Sequence, residues 1–128
     1  MGDKPRIVLA DDDDAVCESL RVCLVYFGYE VTAVGGGLPL VEACRVAPPD
    51  VVVSDVQMPD LDGITAAAEI GRWGAPVVLM SGAWDDGTRE RAARAGVAHC
   101  LAKLVSLAEL VAVVRAAASA RSSSAPAP

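Results

Sequence analysis

Asp55 closes the apolar run Val51-Val52-Val53-Ser54, and a Met58-Pro59 turn and an Asp62-Gly63 pair follow it at once. A carboxylate delivered at the end of a buried strand is held stiffly and aimed out of the sheet edge, which suits a nucleophile or a metal ligand. A second acidic cluster, Asp11 to Asp14, also ends an apolar run, Ile7-Val8-Leu9-Ala10. Two strand ends carrying carboxylates can converge on one pocket, and such a cluster repels itself unless a cation is present. An all-oxygen site with few protein ligands and room for water suits Mg2+. Two further apolar runs end in Ser81-Gly82 and in Lys103. A divalent ion beside a carboxylate, a hydroxyl and an ammonium suits a phosphoryl group. The metal and Lys103 would offset its charge, while Ser81 and a backbone amide near Gly82 donate hydrogen bonds. Asp55 would then attack phosphorus to give an acyl phosphate.

These residues need a scaffold that brings strand ends together. Apolar, β-branched-rich runs of strand length lie at Arg6–Ala10, Glu30–Val34, Val51–Asp55, Val77–Ser81 and His99–Ala102. The first, third and fourth are almost wholly apolar, as parallel strands covered on both faces should be. Helical patterns lie between them. Val16, Leu20, Cys23, Leu24 and Phe27 form one apolar stripe, and Leu107, Leu110, Val111 and Val114 form another. Asp13 or Asp14 is a fair N-cap for the first helix and Gly28 a fair stop. A helix from about residue 62 to 72 is bounded by Gly63 and Gly74. The helix near Thr88–Ala95 is Ala- and Arg-rich with a poor stripe, so it should be the least firmly packed. Five βα repeats predict a doubly wound parallel sheet, with the functional site beyond the carboxyl ends of the strands at the switch in strand order.

Composition narrows the function classes. A chain of 128 residues is one domain of ordinary size, burying roughly two thirds of its unfolded surface on folding. Hydrophobic content of 53% with only 4% aromatics gives a core of Val, Leu, Ile and Ala. A net charge of −6 argues against direct nucleic-acid binding by this domain. Gly2-Asp3-Lys4-Pro5 leads straight into a strand, so no signal peptide is expected. No apolar run approaches the ~18 residues that span a bilayer. Cys17, Cys23, Cys44 and Cys100 lack metal spacing and read as reduced core residues of a cytoplasmic protein.

The acidic pair after the first strand, the D-x-x-M-P-x-x-D-G segment from Asp55 to Gly63, the S-G-A at Ser81 and the lysine after the fifth strand follow a specific order and spacing. In these the chain resembles a receiver domain of two-component response regulators, from about Arg6 to Ala118. The resemblance implies a flavodoxin-like (βα)5 fold, with strand order 2-1-3-4-5. It implies a receiver domain over 6–118, after an N-terminal extension over 1–5, and the composition SARSSSAPAP over 119–128 reads as a disordered Ser/Ala/Pro-rich tail or linker. The resemblance makes Asp55 the phosphoacceptor, Ser81 the active-site hydroxyl and Lys103 the phosphoryl-contacting lysine. Asp12 and Asp55 would bind Mg2+ by side chain, Gln57 by its backbone carbonyl and Asp11 through water. The implied donor is a sensor histidine kinase or a phosphotransfer protein, and the output a downstream protein, a fused effector domain or a homodimer. The four aspartates allow three pairings. The helix stripe starting at Val16 sets Asp11 and Asp12 directly after the strand, leaving Asp13 and Asp14 for the first helical turn, where negative charge favours the dipole.

The departures from the family pattern are concentrated in one region. Leu104 follows Lys103 where receivers usually carry a proline after a cis bond. A cis bond before a non-proline residue costs ~2.5–4 kcal/mol, against ~0.5–1 before proline, so the bond is expected trans. Cys100 and Val105 stand where aromatics are usual, so output through the last two helices is expected to be altered, with the chemistry intact. Ala83, two residues past Ser81, is small and would leave an acyl phosphate open to water. Gly35-Gly36-Gly37 lacks the Gly-Lys-Ser/Thr of a P-loop and reads as a flexible connection. His99, without a neighbouring partner in sequence, reads as structural or exposed. Trp73 and Trp84 fall in loops, Trp84 near the site mouth, where it covers the following helix or reports on the site.

Three functions fit the sequence. The first is a phosphorylatable receiver acting as a binding switch, not an enzyme beyond its own phosphorylation and dephosphorylation. The second is a degenerate receiver that serves as a phosphorylation-independent interaction module, favoured by Cys100, Leu104 and Val105 and opposed by the intact acidic pocket. The third is a Mg2+-dependent phosphatase working through an aspartyl-phosphate. It is disfavoured because Gln57 occupies the place where such an enzyme needs a second Asp, and because no cap domain is evident.

Overall fold

Strands and helices alternate along the chain in the computed structural model, which describes residues 4–103 and 106–123. They are β1 Arg6–Ala10, α1 Asp14–Tyr26, β2 Glu30–Val34, α2 Gly37–Val46 and β3 Val51–Asp55. After these come α3 Gly63–Ile70, β4 Val77–Ser81, α4 Asp86–Arg94, β5 His99–Ala102 and α5 Leu107–Ser123. All strand pairs are parallel, in the order β2-β1-β3-β4-β5. The two connections out of β1 and β3 diverge to opposite sides of the sheet, so the switch in strand order lies between those two strands. The expected doubly wound five-stranded sheet is the fold.

Side chains alternate across the sheet because successive Cβ atoms point to opposite faces. Ile7, Leu9, Val51, Val53, Val78 and Met80 pack with Cys17 and Leu24 of α1 and Leu110, Val111, Val114 and Ala117 of α5. Val8, Ala10, Val52 and Leu79 pack on the other face with Leu40 and Cys44 of α2, the apolar side of α3, and Ala92 of α4. Every residue of β3 and β4 is buried, whereas β2 at the sheet edge is largely exposed. This explains why the central strands read as continuous apolar runs.

The helix ends follow from local chemistry. Asp13 caps α1, its carboxylate accepting from the Ala15 and Val16 amides. Asp62 caps α3 in the same way, through Ile64 and Thr65, and Asp85 caps α4 through Thr88. Gly28, at φ 99°, lets the chain leave α1 in the left-handed region, and the amides of Gly28 and Tyr29 return to Val25 and Leu24 carbonyls. The stripe expected on α1 ends one turn early: Phe27 is 43% exposed at the C-cap, edge-on to Tyr26. Leu107 is likewise exposed, because the buried side of α5 begins at Leu110. Helix α5 runs on to Ser123, since the Ala116-Ala117-Ala118-Ser119-Ala120 stretch has high helix propensity.

The four cysteines are free, with Cys17 and Cys44 buried and Cys23 and Cys100 half-buried. Burial pushes all four thiols up, Cys44 to about 11, so they persist as small apolar core groups. Among the described residues no helix is long and apolar enough to cross a membrane.

Candidate functional site

The parallel register sets the site residues side by side. Ala10 pairs with Ser54, so Asp11 and Asp55 leave adjacent strands at the same level. Asp55 pairs with Met80 and Ser81 with Ala102, so Ser81 and Lys103 each stand one residue beyond the level of the strand before them. Ladder bonds continue past the strand ends: the Val56 amide donates to the Met80 carbonyl and the Lys103 amide to the Ser81 carbonyl, both at 2.9 Å. Asp55, Ser81 and Lys103 thus stand on the sheet or on its ladder continued, not on free loop.

The charges close on one another. Lys103 Nζ lies 2.6 Å from Asp55 Oδ2 and 3.2 Å from Asp11 Oδ2. Asp11 and Asp55 are buried, whereas Asp12 is exposed at the rim. Burial would lower the Lys103 pKa, but its bonds to Asp55 and Asp11 prevail and hold it above the ordinary lysine value. Asp11 is held above the ordinary carboxylate range by burial, against the opposing bonds from the Asp13 amide and Lys103.

A metal ion fits this donor set. Asp11, Asp12 and Asp55 each offer a carboxylate oxygen, and the three atoms lie within 4.8 Å of one another. Asp11 Oδ2 is buried and makes no hydrogen bond; its neighbour is the Lys103 ammonium at 3.2 Å, which leaves lone pairs open to a metal ion. Oxygen-only ligands, one of them on the exposed Asp12, match a hard divalent ion that keeps several waters.

Ser81 is fully buried, and its Oγ accepts from the Ala83 amide at 3.0 Å. The Gln57 carboxamide also reaches it, with Nε2 at 3.1 Å and Oε1 at 3.2 Å. The resemblance gave Gln57 a site role only through its backbone carbonyl, and nothing in the residue pattern marks a bond from its side chain to Ser81. The Gln57 amide also donates to Asp55 Oδ1 at 3.3 Å. Next to these groups an open cleft of about 550 Å³ is lined by Asp12, Gln57, Met58, Asp62, Thr88 and Arg91 among others. Arg91 of α4 pairs there with Asp62 at 3.3 Å.

The chain matches the family model of the response regulator receiver domain over residues 7–115. It belongs to that family. Among curated relatives, this receiver domain is 31% identical over 112 residues to the transcriptional regulatory protein KdpE of Mycobacterium tuberculosis, covering 87% of this chain and 50% of the relative. It is 37% identical over 113 residues to the response regulator MprA of Mycobacterium leprae, with 87% and 50% covered. The chain thus spans about half the length of these relatives. Among solved structures, the receiver domain of the putative response regulator NarL from Mycobacterium tuberculosis superposes with a TM-score of 0.86 at 26% identity, covering 92% of this chain and 98% of that one. A CheY-like receiver protein from Methanospirillum hungatei reaches 0.92 at 18% identity, covering 96% and 100%, a likeness of fold.

The expected set of Asp11, Asp12, Asp55, Gln57, Ser81 and Lys103 is therefore gathered at one edge of the receiver fold. Leu104 and Val105 lie outside the described residues. His99 is half-buried at the start of β5, at the opposite end of that strand from Lys103. Trp84 is half-buried, donates from Nε1 to the Leu101 carbonyl at 2.7 Å, and carries the Arg89 guanidinium 5.3 Å from its ring centre. It therefore ties the loop after Ser81 to β5 as well as covering α4. The glycine run is not a loose connection, because an added Cβ at Gly36 or Gly37 would collide with Asp60 or Leu61.

Proposed function

We propose that the chain is a phosphoacceptor switch in which Asp55 takes a phosphoryl group from the phosphohistidine of a sensor kinase or phosphotransfer protein. The observation that carries this reading is the pairing of buried Asp55 with Lys103 at 2.6 Å beside two further carboxylates able to share a cation. Asp55 bonds to phosphorus as the phosphorus–nitrogen bond to the donor imidazole breaks, and the product is an acyl phosphate. Asp12 and Asp55 by side chain, Gln57 by its backbone carbonyl and Asp11 through water would hold Mg2+. That ion supplies neutralisation of the phosphoryl charge. Lys103 offers its ammonium to a phosphoryl oxygen, and Ser81 offers its hydroxyl to another. Return to the resting state needs water to attack phosphorus, releasing phosphate and the Asp55 carboxylate. Ala83 is exposed and small, which favours access of that water and a short lifetime.

The domain division proposed is a receiver over 6–118, in a cytoplasmic protein whose output passes to a downstream partner, a fused effector or a second copy. The relatives' names, transcriptional regulator and response regulator, agree with an output in signalling. The test is intact-protein mass after incubation with phosphoramidate and Mg2+, for wild type and Asp55→Asn. One phosphoryl adduct, lost in the variant and on Mg2+ removal, is the expected result. Absence of an adduct in the wild type would overturn the proposal in favour of an interaction module that does not use phosphorylation.

A further inference from the structure

Ser81 has no free hydrogen-bonding capacity. Its hydroxyl is fully buried, accepts from the Ala83 amide and Gln57 Nε2, and donates to Gln57 Oε1. A hydroxyl has one proton and two lone pairs. While Gln57 holds that proton, Ser81 cannot offer it to a phosphoryl oxygen. Both atoms of the carboxamide lie against the same oxygen, so exchanging its N and O leaves the bonding unchanged. The bond also crosses the site, from the loop that follows Asp55 to the end of β4.

Resting on the reading of Asp55 as phosphoacceptor and of Ser81 as donor to the phosphoryl group, we propose that the Gln57 side chain is a latch. It occupies Ser81 in the unphosphorylated chain and releases it when the phosphoryl group arrives. The two partners have unequal needs. Ser81 is buried, so an unmade bond there is costly, and some group must satisfy the hydroxyl in the resting state. Gln57 is exposed, so on release its carboxamide exchanges one partner for water at little cost. The latch thus protects the resting hydroxyl and opposes phosphoryl binding by a modest amount. Gln57 acts here as a positioning residue, through Ser81.

Beryllofluoride with Mg2+ is a probe for phosphoryl binding, and 19F NMR titration reads its affinity directly. Gln57→Leu removes both side-chain bonds, keeps similar bulk at an exposed position and retains the backbone carbonyl. The Ser81-containing variant should bind beryllofluoride about fivefold more tightly than wild type, the worth of one net hydrogen bond. In the Ser81→Ala background the same change should give no gain, and the Ala83 amide resonance should shift with Gln57→Leu only when Ser81 is present. Equal affinities of wild type and Gln57→Leu, or the same gain in both backgrounds, would overturn the latch while leaving the phosphoacceptor reading in place. Failure of all four proteins to bind would overturn that reading, and the latch with it.

Discussion

Among the described residues, Lys103 alone pairs with Asp11 and Asp55, and its removal should therefore expose how far the acidic cluster opposes folding. Asp11 is buried and held above the ordinary carboxylate range, so the sign of its contribution is fixed. A carboxyl whose folded pKa is raised favours the folded state at low pH and loses that contribution as pH rises through its folded value. Lys103→Ala removes the cation that opposes this loss. The variant should be destabilised at pH 7 by about 2 kcal/mol, the scale of a hydrogen bond to a charged group. Its deficit should shrink as pH falls toward the carboxylate range. Added Mg2+ should raise its melting temperature more than that of the wild type, because the ion then takes over the neutralisation that Lys103 supplied. Thermal melts at pH 7 and at low pH, with and without Mg2+, measure both effects. A deficit independent of pH and Mg2+ would mean that Lys103 serves packing and not charge balance.

At the scale of elements, the helix starts show two ways of satisfying free amides. Asp13, Asp62, Asp85 and, before α5, Ser106 cap their own helices from the adjoining position, and such caps are legible in sequence. Helix α2 is capped from elsewhere: Asp60 accepts from the Gly37 and Leu38 amides, both at 3.0 Å. Those bonds hold the Asp60 carboxyl below its ordinary value. The close approach this cap requires explains the glycine run, whose members are not equivalent. A Cβ on Gly37 would stand 2.1 Å from the Leu61 carbonyl oxygen, whereas one on Gly35 would meet nothing within 4 Å. Gly37→Ala should therefore cost about 1–3 kcal/mol, the range for overpacking, and Gly35→Ala should be close to neutral. Chemical denaturation of the two variants decides the point, and equal effects would refute it. No local rule announces a cap 23 residues away, which is why the sequence suggested only a flexible connection there. The strands were legible because three of them are buried on both faces, and the site was legible because parallel register carries each strand-end residue to one edge. What escaped was side-chain reach: the carboxamide of Gln57 on Ser81, Asp60 across to α2, and Arg91 on Asp62.

For the whole molecule the uneven packing of the helices matters most. Helix α3 buries Gly63, Ile64, Ala66, Ala67 and Ile70, while α4 buries Ala92 alone. What holds α4 is largely polar: the Asp85 cap, the Arg91–Asp62 pair, the Arg94–Glu90 pair and the Arg89 stack on Trp84. Elements with few buried apolar contacts open at low free energy, and exposed ion pairs weaken as salt shortens the screening length to about 3 Å at 1 M. Residues 86–94 should therefore exchange their amides faster than α3, and raising the salt should speed α4 selectively. The same softness makes α4 the element most easily moved from the site, since Trp84 and the loop after Ser81 lead into it and Asp62 joins it to the loop after Asp55. Cys100, half-buried beside this cluster where receivers usually carry an aromatic, lacks a large ring to extend the movement into β5. Beryllofluoride with Mg2+ should accordingly change exchange in α4 and the 82–85 loop, and leave α5 nearly unaltered. A large change in α5 would show that the last helix is coupled to the site without the aromatic, and that Trp84, bonded to Leu101, carries the coupling in its place.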